Sequence, residues 1–394
     1  LTLKNILIGE VWFCSGQSNM EMPVKGFRGQ PVYGSQPYIV SANPKRPLRL
    51  YTVKNNWSTT LKEEGIDGQW SEASSEEVAD FSATAYFFGN LLQQSLDVPV
   101  GLIHCSWSMS KIEAWMDKET LSHFSEVTLP DTNQDKFEWA AGTPTLLWNA
   151  MVNPWKGFPV KGVIWYQGEF NSGGSAKEYA TLFSRMIMDW REKWGIGDFP
   201  FVYVQLPNFE PVDQQPSVEG NGWRWVREGQ LKALNLPNTA MAVTIDVGDP
   251  FDLHPVDKYD VGHRLALAAR RLAYGEKVVG MGPLYKKMSV KGNKIILEFT
   301  NQGKKLMMGT SPYIPAGEPP HPKPTKLTGF GIAGADRKFV WADAVIEGNK
   351  VIVSSSEVAV PVAVRYGFSN SPRCNLYNEK GLPASPFRTD NWDK

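Results

Sequence analysis

Short, continuously apolar segments alternate with segments of helical periodicity over roughly the first two thirds of the chain. Apolar positions three and four residues apart predict helices at 82–96, 175–194 and 258–274. The apolar segments lie at 8–14, 48–53, 100–106, 162–167, 199–205 and 241–246. Their unbroken apolarity is typical of parallel strands covered on both faces. Strands that alternate with helices predict a doubly wound, three-layer α/β/α domain.

The pattern changes after Gly275 to short strands separated by turns. Strand-like segments lie at 294–299, 339–346, 350–354 and 359–366, with a proline-rich loop at 312–324. We therefore predict three parts: a residual N-terminal segment at 1–8, an α/β domain at 9–278 and a smaller all-β C-terminal module at 279–394.

Composition excludes several classes of function. The 394 residues contain 41 Lys and Arg and 41 Asp and Glu, so no net charge favours nucleic acid or an anionic membrane. No apolar window reaches the roughly 18 residues that span a bilayer. Three widely spaced cysteines indicate neither a disulfide framework nor a zinc site. The 15 Trp, 13 Tyr and 19 Phe are either core residues or surfaces that stack on sugar rings.

A serine follows the first predicted strand, in the sequence Gly16-Gln17-Ser18-Asn19-Met20. Doubly wound folds bind ligands at the carboxyl ends of their strands, next to the free amides of the following helix. Ser18 is therefore either a nucleophile or the N-cap of that helix.

A serine nucleophile needs a base, and His254 is the best candidate among five histidines. It lies in Asp252-Leu253-His254-Pro255, in the loop between the last predicted α/β strand and the helix at 258–274. That loop opens at the carboxyl edge of the sheet, so the topology predicts a Ser18–His254 pair. Asp252, Asp249 or a backbone carbonyl could orient the imidazole, and these alternatives stay open.

Attack on an ester creates an oxyanion, which requires positioned hydrogen-bond donors. Gln167 and Asn171 follow a buried strand and carry neutral amide donors. A backbone amide of the segment 105–110 is another candidate. Glu169 is either a group that orders loop amides or a surface carboxylate.

Three motifs together resemble the sialate O-acetylesterase family, a branch of the SGNH hydrolases that removes acetyl groups from sugars. They are the segment 9–22, the segment 165–169 and the segment 252–266, which contains His254 and Lys258. They occur in family order and extend over about residues 5–275. The resemblance implies a flavodoxin-like SGNH sheet. It also implies that a β-rich region precedes the first motif in longer members.

The resemblance implies a role for particular residues of this chain. Ser18 would be the nucleophile, His254 the base and Asp252 its partner, in a two-step transfer through an acetyl-serine. The implied oxyanion donors are Ser18, Ser108, Gln167 and Asn171. The implied substrate contacts are Gln17, Glu169 and Trp107. Neither a metal nor another cofactor is implied.

The implied substrate is an acetylated sugar, foremost 9-O-acetyl sialic acid, with acetylxylan or another polysaccharide as the alternative. The carboxylate of a sialic acid favours a nearby cation, and Lys111, Arg224 and Arg227 are candidates. A secreted, periplasmic or lysosome-like location is also implied, although the chain contains no signal sequence.

Two other classes of function compete with an esterase. A carbohydrate-binding protein without activity, on the same scaffold, would explain the Trp content and the sequence Trp107-Ser108-Met109-Ser110, where the family usually has glycines. A metal-dependent hydrolase could use the cluster of Asp246, Asp249, Asp252 and His254.

Overall fold

A computed structural model describes residues 4–64, 67–217, 222–314 and 319–392. Its largest sheet has seven strands in the order β3-β2-β4-β1-β5-β6-β7. All neighbouring pairs are parallel except β2 and β3, which form an antiparallel edge. The strands are β1 (Glu10–Gly16), β2 (Leu48–Thr52), β3 (Ser71–Glu72), β4 (Val100–Ser106), β5 (Gly162–Tyr166), β6 (Phe201–Gln205) and β7 (Thr239–Val243).

Helices cover both faces of this sheet. They are α1 (Ser18–Glu21), α2 (Gln36–Val40), α3 (Ser75–Asp80), α4 (Ala83–Leu96), α5 (Lys118–Leu121), α6 (Tyr179–Trp194), α7 (Trp223–Lys232) and α8 (Lys258–Tyr274). Successive side chains of a strand point to opposite faces. On β1, Trp12 contacts Phe88 of α4 at 5.0 Å between ring centroids, and Phe13 contacts Trp190 of α6 at 5.8 Å. The predicted three-layer fold is confirmed.

Local sequence signals explain where the long helices begin and end. Ser82 Oγ accepts a hydrogen bond from the Ala85 amide at the start of α4. Asp257 caps α8 in the same way, through the Asp260 amide. Gly275 ends α8 with a left-handed backbone, φ +66°. The helix predicted at 258–274 is observed with these limits, whereas the one predicted at 175–194 begins at Tyr179.

The tryptophans serve mainly the core of the α/β domain. Eight of the 15 are buried, and five of them are among the largest fully buried side chains: Trp12, Trp115, Trp148, Trp165 and Trp190. Of the two interpretations of the aromatic content, packing therefore accounts for most of the Trp side chains.

The C-terminal part is built from antiparallel strands, as predicted. Its sheets have the orders β12-β11-β15-β17, β13-β14-β9-β8 and β10-β16. The strands are β8 (Leu284–Lys291), β9 (Lys294–Thr300), β10 (Leu306–Met308), β11 (Phe330–Ala333), β12 (Phe339–Trp341), β13 (Asp343–Glu347), β14 (Lys350–Ser354), β15 (Ala363–Tyr366), β16 (Leu376–Asn378) and β17 (Phe387–Arg388). A second apolar core includes Ile295, Leu297 and Val364.

Two predicted C-terminal strands differ from the structure. The segment 339–346 is not one strand, because β12 pairs with β11 whereas β13 pairs with β14 in another sheet. The segment 359–366 is a strand only from Ala363, since Pro361 has no amide to donate to a neighbour. The module boundary at 278/279 stays a prediction, and residues 315–318 of the proline-rich loop lie outside the described residues.

Buried polar contacts join the C-terminal module to the α/β domain. The Arg227 guanidinium of α7 donates to the carbonyl oxygens of Leu206, Ser369 and Asn370 at 2.8, 2.6 and 2.8 Å. Tyr377 Oη donates to Asp246 Oδ2 at 3.0 Å. The two cores are therefore linked by specific hydrogen bonds. Among the described helices, none is both long enough and apolar enough to cross a membrane.

Candidate active site

A glycine makes the turn that presents Ser18. β1 lies between β4 and β5 and ends at Gly16, whose φ is +147°. A Cβ at this position would lie 2.0 Å from the Tyr166 carbonyl oxygen. The next amide, that of Gln17, donates to the same oxygen at 3.0 Å. Because a side chain would not fit, only glycine lets the chain leave the sheet here and begin α1 at Ser18.

Ser18 is the first residue of α1 and is 5% exposed. Its amide has no earlier carbonyl of the same helix to bond, so it belongs to the free donors of a helix start. The amides of Met20 and Glu21 both donate to the Gln17 carbonyl oxygen, at 2.8 and 2.9 Å. The hydroxyl and a backbone donor therefore occur together at the carboxyl end of the central strand.

Asn19 joins the start of α1 to the loop that carries His254. Its Nδ2 donates to the Leu253 carbonyl oxygen at 3.0 Å. The residue after Ser18 is thus in direct contact with the residue before His254, although 234 positions separate the bonded pair. The structure brings the two sequence-predicted groups to the same edge of the sheet.

The His254 imidazole is partly buried and lies beside Asp252. Its Nδ1 is 3.7 Å from Asp252 Oδ1, and this oxygen also accepts a hydrogen bond from the His254 amide at 2.8 Å. Gln30 Nε2 donates to Asp252 Oδ2 and to the His254 carbonyl oxygen. The Phe27 ring packs edge-on against the imidazole at 5.3 Å. Asp252 and Gln30 therefore fix the loop that carries His254.

The electrostatic environment favours the neutral form of His254. Burial lowers the pKa of the imidazole, the Lys258 charge lowers it further, and Asp252 opposes both effects. His254 Nε2 is buried and has no hydrogen-bond partner among the described residues. A neutral imidazole with an unoccupied ring nitrogen can accept a proton.

The other acidic residues of this region have structural partners. Asp249 Oδ1 accepts from the Phe251 amide at 2.7 Å. Asp246 forms a two-pronged ion pair with Arg264, with N–O distances of 2.5 and 2.8 Å. Asp252 is therefore the carboxylate beside His254. Asp246 is not free for the metal site of the alternative prediction, and within the described ranges no three His, Cys, Asp or Glu are grouped to hold a metal ion.

Gln167 and Asn171 were expected to donate to an oxyanion, but their amide hydrogens are already used. Gln167 Nε2 donates to the Ser110 carbonyl oxygen at 3.0 Å and to Asn171 Oδ1 at 2.8 Å. Asn171 Nδ2 donates to Glu113 at 2.9 Å and to Ser175 at 3.1 Å. Both side chains are fully buried. In this arrangement they hold the loops after β4 and β5 together and have no donor left for substrate.

The Ser108 amide is also occupied. Glu21 Oε2 accepts hydrogen bonds from the Ser108 amide and, at 2.5 Å, from its hydroxyl. Trp107 is half-buried, and its amide donates to the Gly16 carbonyl oxygen at 3.2 Å. Of the four expected oxyanion donors, the Ser18 amide is the one without such a competing bond to any residue that the structure describes.

Gln17 and Glu169, expected to contact substrate, are buried instead. Gln17 Oε1 accepts from the amides of Gly168 and Phe170, each at 3.4 Å. Glu169 is 4% exposed, and its Oε1 accepts from Asn19 Nδ2 at 2.6 Å. Burial raises the pKa of the Glu169 carboxyl. Both residues thus hold the loops of the site in place through buried hydrogen bonds. For Glu169, this is one of the two roles considered from the sequence.

The cations considered for a substrate carboxylate have other contacts. The Arg227 guanidinium is buried among carbonyl oxygens. Arg224 packs over the ring of Trp225 at 5.3 Å. Lys111 Nζ lies 5.4 Å from the centroid of the Trp139 ring. Arg227 is therefore a structural residue of the module junction.

Sequence reasoning missed four side chains that assemble the site: Asn19, Glu21, Gln30 and Lys258. Asn19, Glu21 and Lys258 lie within the recognised motifs, which was the available signal. A second Ser–His pair was also missed: His104 Nε2 and Ser106 Oγ are 2.6 Å apart. Both residues are buried, and burial lowers the pKa of His104 to about 4.

Known proteins resemble this chain over nearly its whole length. Human sialate O-acetylesterase is 31% identical over 98% of the chain and 76% of its own length. The mouse sialate O-acetylesterase is 28% identical over 98% and 78%. A crystal structure of a carbohydrate acetylesterase from Xanthomonas citri has a TM-score of 0.84 and 41% identity, over 98% of this chain and 81% of that one.

Residues 8–271 match the family described as carbohydrate esterase, sialic acid-specific acetylesterase. The matched residues include all seven strands of the large sheet, the Ser18 turn and the His254 loop. This confirms the resemblance drawn from the three motifs, and with it the expectation of a carboxylic ester hydrolase. The chain belongs to the sialic acid-specific acetylesterase family of carbohydrate esterases.

Proposed function

We propose that this chain is a serine esterase that removes O-acetyl groups from carbohydrates, with Ser18 as nucleophile, His254 as base and Asp252 as the partner of His254. The observation that carries the proposal is the hydrogen bond between Asn19 and the Leu253 carbonyl oxygen, which joins the neighbours of Ser18 and His254. The carbohydrate esterase family supports the reaction type.

In the proposed first step, His254 Nε2 takes the proton of the Ser18 hydroxyl as the oxygen attacks the acetyl carbonyl carbon. The Ser18 amide donates to the oxyanion. The carbon–oxygen bond to the sugar then breaks, and the sugar alcohol leaves with the proton from His254. Water repeats the attack on the acetyl-serine, which releases acetate and restores the hydroxyl. Asp252 stabilises the imidazolium that forms in each step.

We propose an acetylated sialic acid as the first substrate to test, with acetylated xylo-oligosaccharides as the alternative. The relatives from human and mouse carry the name sialate O-acetylesterase, and the structure from Xanthomonas citri is described more broadly as a carbohydrate acetylesterase. Acetate release from 9-O-acetyl sialic acid and from acetylated xylo-oligosaccharides, at equal acetyl concentration, decides between the two. We also propose a secreted, periplasmic or lysosome-like location, which the family membership supports.

Replacement of the nucleophile tests the mechanism. Ser18→Ala removes the attacking oxygen and leaves a side chain that α1 accommodates, so we expect hydrolysis of p-nitrophenyl acetate to fall by roughly 10⁴-fold or more. The matched control is Ser95→Ala on the exposed side of α4, where the hydroxyl bonds only the Leu91 carbonyl oxygen. Activity of Ser18→Ala equal to that of Ser95→Ala would refute the assignment.

A covalent probe separates the esterase from the other two classes. A serine-directed organophosphonate should attach to the unmodified protein and not to Ser18→Ala, and the mass of the labelled peptide identifies the site. A chelator should leave hydrolysis unchanged. Failure to release acetate from any acetyl ester would favour the carbohydrate-binding alternative, whereas loss of activity with the chelator would favour the metal-dependent one.

A further inference from the structure

A fully buried lysine lies behind the proposed catalytic pair. Lys258 is 0% exposed, and its ammonium donates to Asn19 Oδ1 and lies 5.4 Å from the centroid of the Tyr166 ring. It is also the first residue of α8. A cation is unfavourable both in a buried place and in the first turn of a helix, where the helix dipole is positive. Two such costs at one residue indicate a function beyond packing.

Lys258 acts on the site through Asn19. The Asn19 amide oxygen accepts from Lys258, and its nitrogen donates to Glu169 Oε1 and the Leu253 carbonyl oxygen. Lys258, together with Glu169, therefore favours the orientation in which the Asn19 nitrogen faces the Leu253 carbonyl. With the amide reversed, two oxygens would face each other and the contact between α1 and the His254 loop would be lost.

Lys258 also supplies a positive charge that acts on His254. The charged groups around the imidazole are Lys258 from α8 and Asp252 from its own loop. The groups that act on Lys258 in turn are Glu169, Asp252 and Asp257. Burial lowers the pKa of Lys258 to about 7, so the ammonium form is present in the acid range where His254 titrates.

We propose that Lys258 is a positioning residue for the acetylesterase reaction: it orients Asn19, which fixes the His254 loop against the Ser18 helix, and it adds a positive charge to the surroundings of the imidazole. This inference rests on the proposed roles of Ser18 and His254. Lys258 itself touches neither the nucleophile nor the acetyl group in this scheme, and it acts through Asn19 and through its charge.

Two substitutions separate these effects. Lys258→Met removes the donor and the charge, and Lys258→Gln removes the charge but keeps a donor. We expect Lys258→Met to lower kcat for p-nitrophenyl acetate by about 10-fold to 100-fold, as for a displaced catalytic group, with a much smaller change in KM. In both variants the acid limb of the pH–rate profile should move to higher pH, because the imidazole loses a repelling charge. Lys258→Gln should lower kcat less than Lys258→Met does, because glutamine keeps a hydrogen-bond donor for Asn19.

The matched control is Lys161→Met. Lys161 Nζ likewise lies near an aromatic ring and a carboxylate, at 4.9 Å from the Tyr274 ring centroid and 3.7 Å from Glu10 Oε2, but away from the site. The Lys161→Met substitution should leave kcat and the pH–rate profile unchanged. Thermal unfolding of each variant shows whether it is folded. If Lys258→Met does not fold, Lys258→Gln tests the proposal.

The outcome distinguishes two failures. If Ser18→Ala is inactive and a folded Lys258 variant keeps both the kcat and the acid limb of the unmodified protein, the positioning role is refuted and the proposed function stands. If Ser18→Ala is fully active, the proposed function itself is refuted, and the role of Lys258 with it.

Discussion

A buried pair of carboxyl groups makes the stability of the α/β domain depend on pH. Asp189 of α6 is 0% exposed, and its Oδ1 accepts from Thr120 Oγ1 at 2.9 Å. Burial and the neighbouring Asp117 raise the pKa of Asp189 to about 8. Burial opposes ionisation of Asp117, but hydrogen bonds from Asp189 and Thr120 lower the pKa of that carboxyl, and Lys193 Nζ, 3.9 Å from its Oδ1, lowers it further. The raised pKa of Asp189 and the lowered pKa of Asp117 therefore favour a single proton on the pair at neutral pH.

The effect on stability follows from the proton count. Between about pH 4 and pH 8 the folded protein keeps a proton on Asp189 that the unfolded chain has released, so stability falls as pH rises through this range. One pKa unit corresponds to about 1.4 kcal/mol, and pH 7 lies about three units above the pKa of an aspartate in the unfolded chain. Keeping the proton on Asp189 at pH 7 therefore costs about 4 kcal/mol of folding stability. Asp189→Asn mimics the protonated carboxyl and removes this cost. The gain should be small at about pH 4 and increase to about 4 kcal/mol at pH 7.

Urea unfolding followed by tryptophan fluorescence at several pH values between about 4.5 and 7.5 measures this gain. The matched control is Asp198→Asn, at an exposed carboxylate whose Oδ1 is 3.8 Å from Arg191, which should show no pH-dependent gain. A gain for Asp189→Asn that does not change with pH, or a loss of stability at pH 7, would refute the shared-proton interpretation.

Three further outcomes are expected. Gly16→Ala should abolish acetyl ester hydrolysis, because its Cβ would lie 2.0 Å from the Tyr166 carbonyl oxygen; an active variant would refute the tight turn. Tyr377→Phe should lower the unfolding free energy by about 1–2 kcal/mol through loss of its bond to Asp246, and an unchanged urea midpoint would contradict this. The unmodified enzyme should lose activity in acid with one protonation, at a pH below the usual range for histidine because burial lowers the pKa of His254; a flat profile would exclude an imidazole base.

The α/β domain was predictable because its strands are buried on both faces. The segments 100–106 and 162–167 are mostly apolar on both faces, and they are observed as β4 and β5 with at most one residue of difference. The location of Ser18 and His254 was predictable because both follow such strands, whereas their catalytic roles stay predictions. The topology then places them on the same edge, and the contact between Asn19 and Leu253 agrees with this expectation.

The rest depends on contacts that no local pattern contains. Gln167 and Asn171 have the chemistry of oxyanion donors, yet the Gln167 amide donates to Ser110 and Asn171. The Asn171 amide donates to Glu113 and Ser175. Whether a donor is free depends on such long-range partners. In the C-terminal module the apolar segment 339–346 continues without a turn signal while its pairing changes sheet at Ala342, and only the partner strands show this.

The Arg227 contacts have a consequence for synthesis of the chain on the ribosome. Two of the carbonyl oxygens that this buried guanidinium needs belong to Ser369 and Asn370, more than 140 positions later. Until those residues have left the exit tunnel, α7 cannot bury Arg227 without unpaired donors. Completion of the α/β domain therefore waits until Ser369 and Asn370 have been translated and have left the tunnel, and a nascent chain stalled before that point exposes this surface to chaperones.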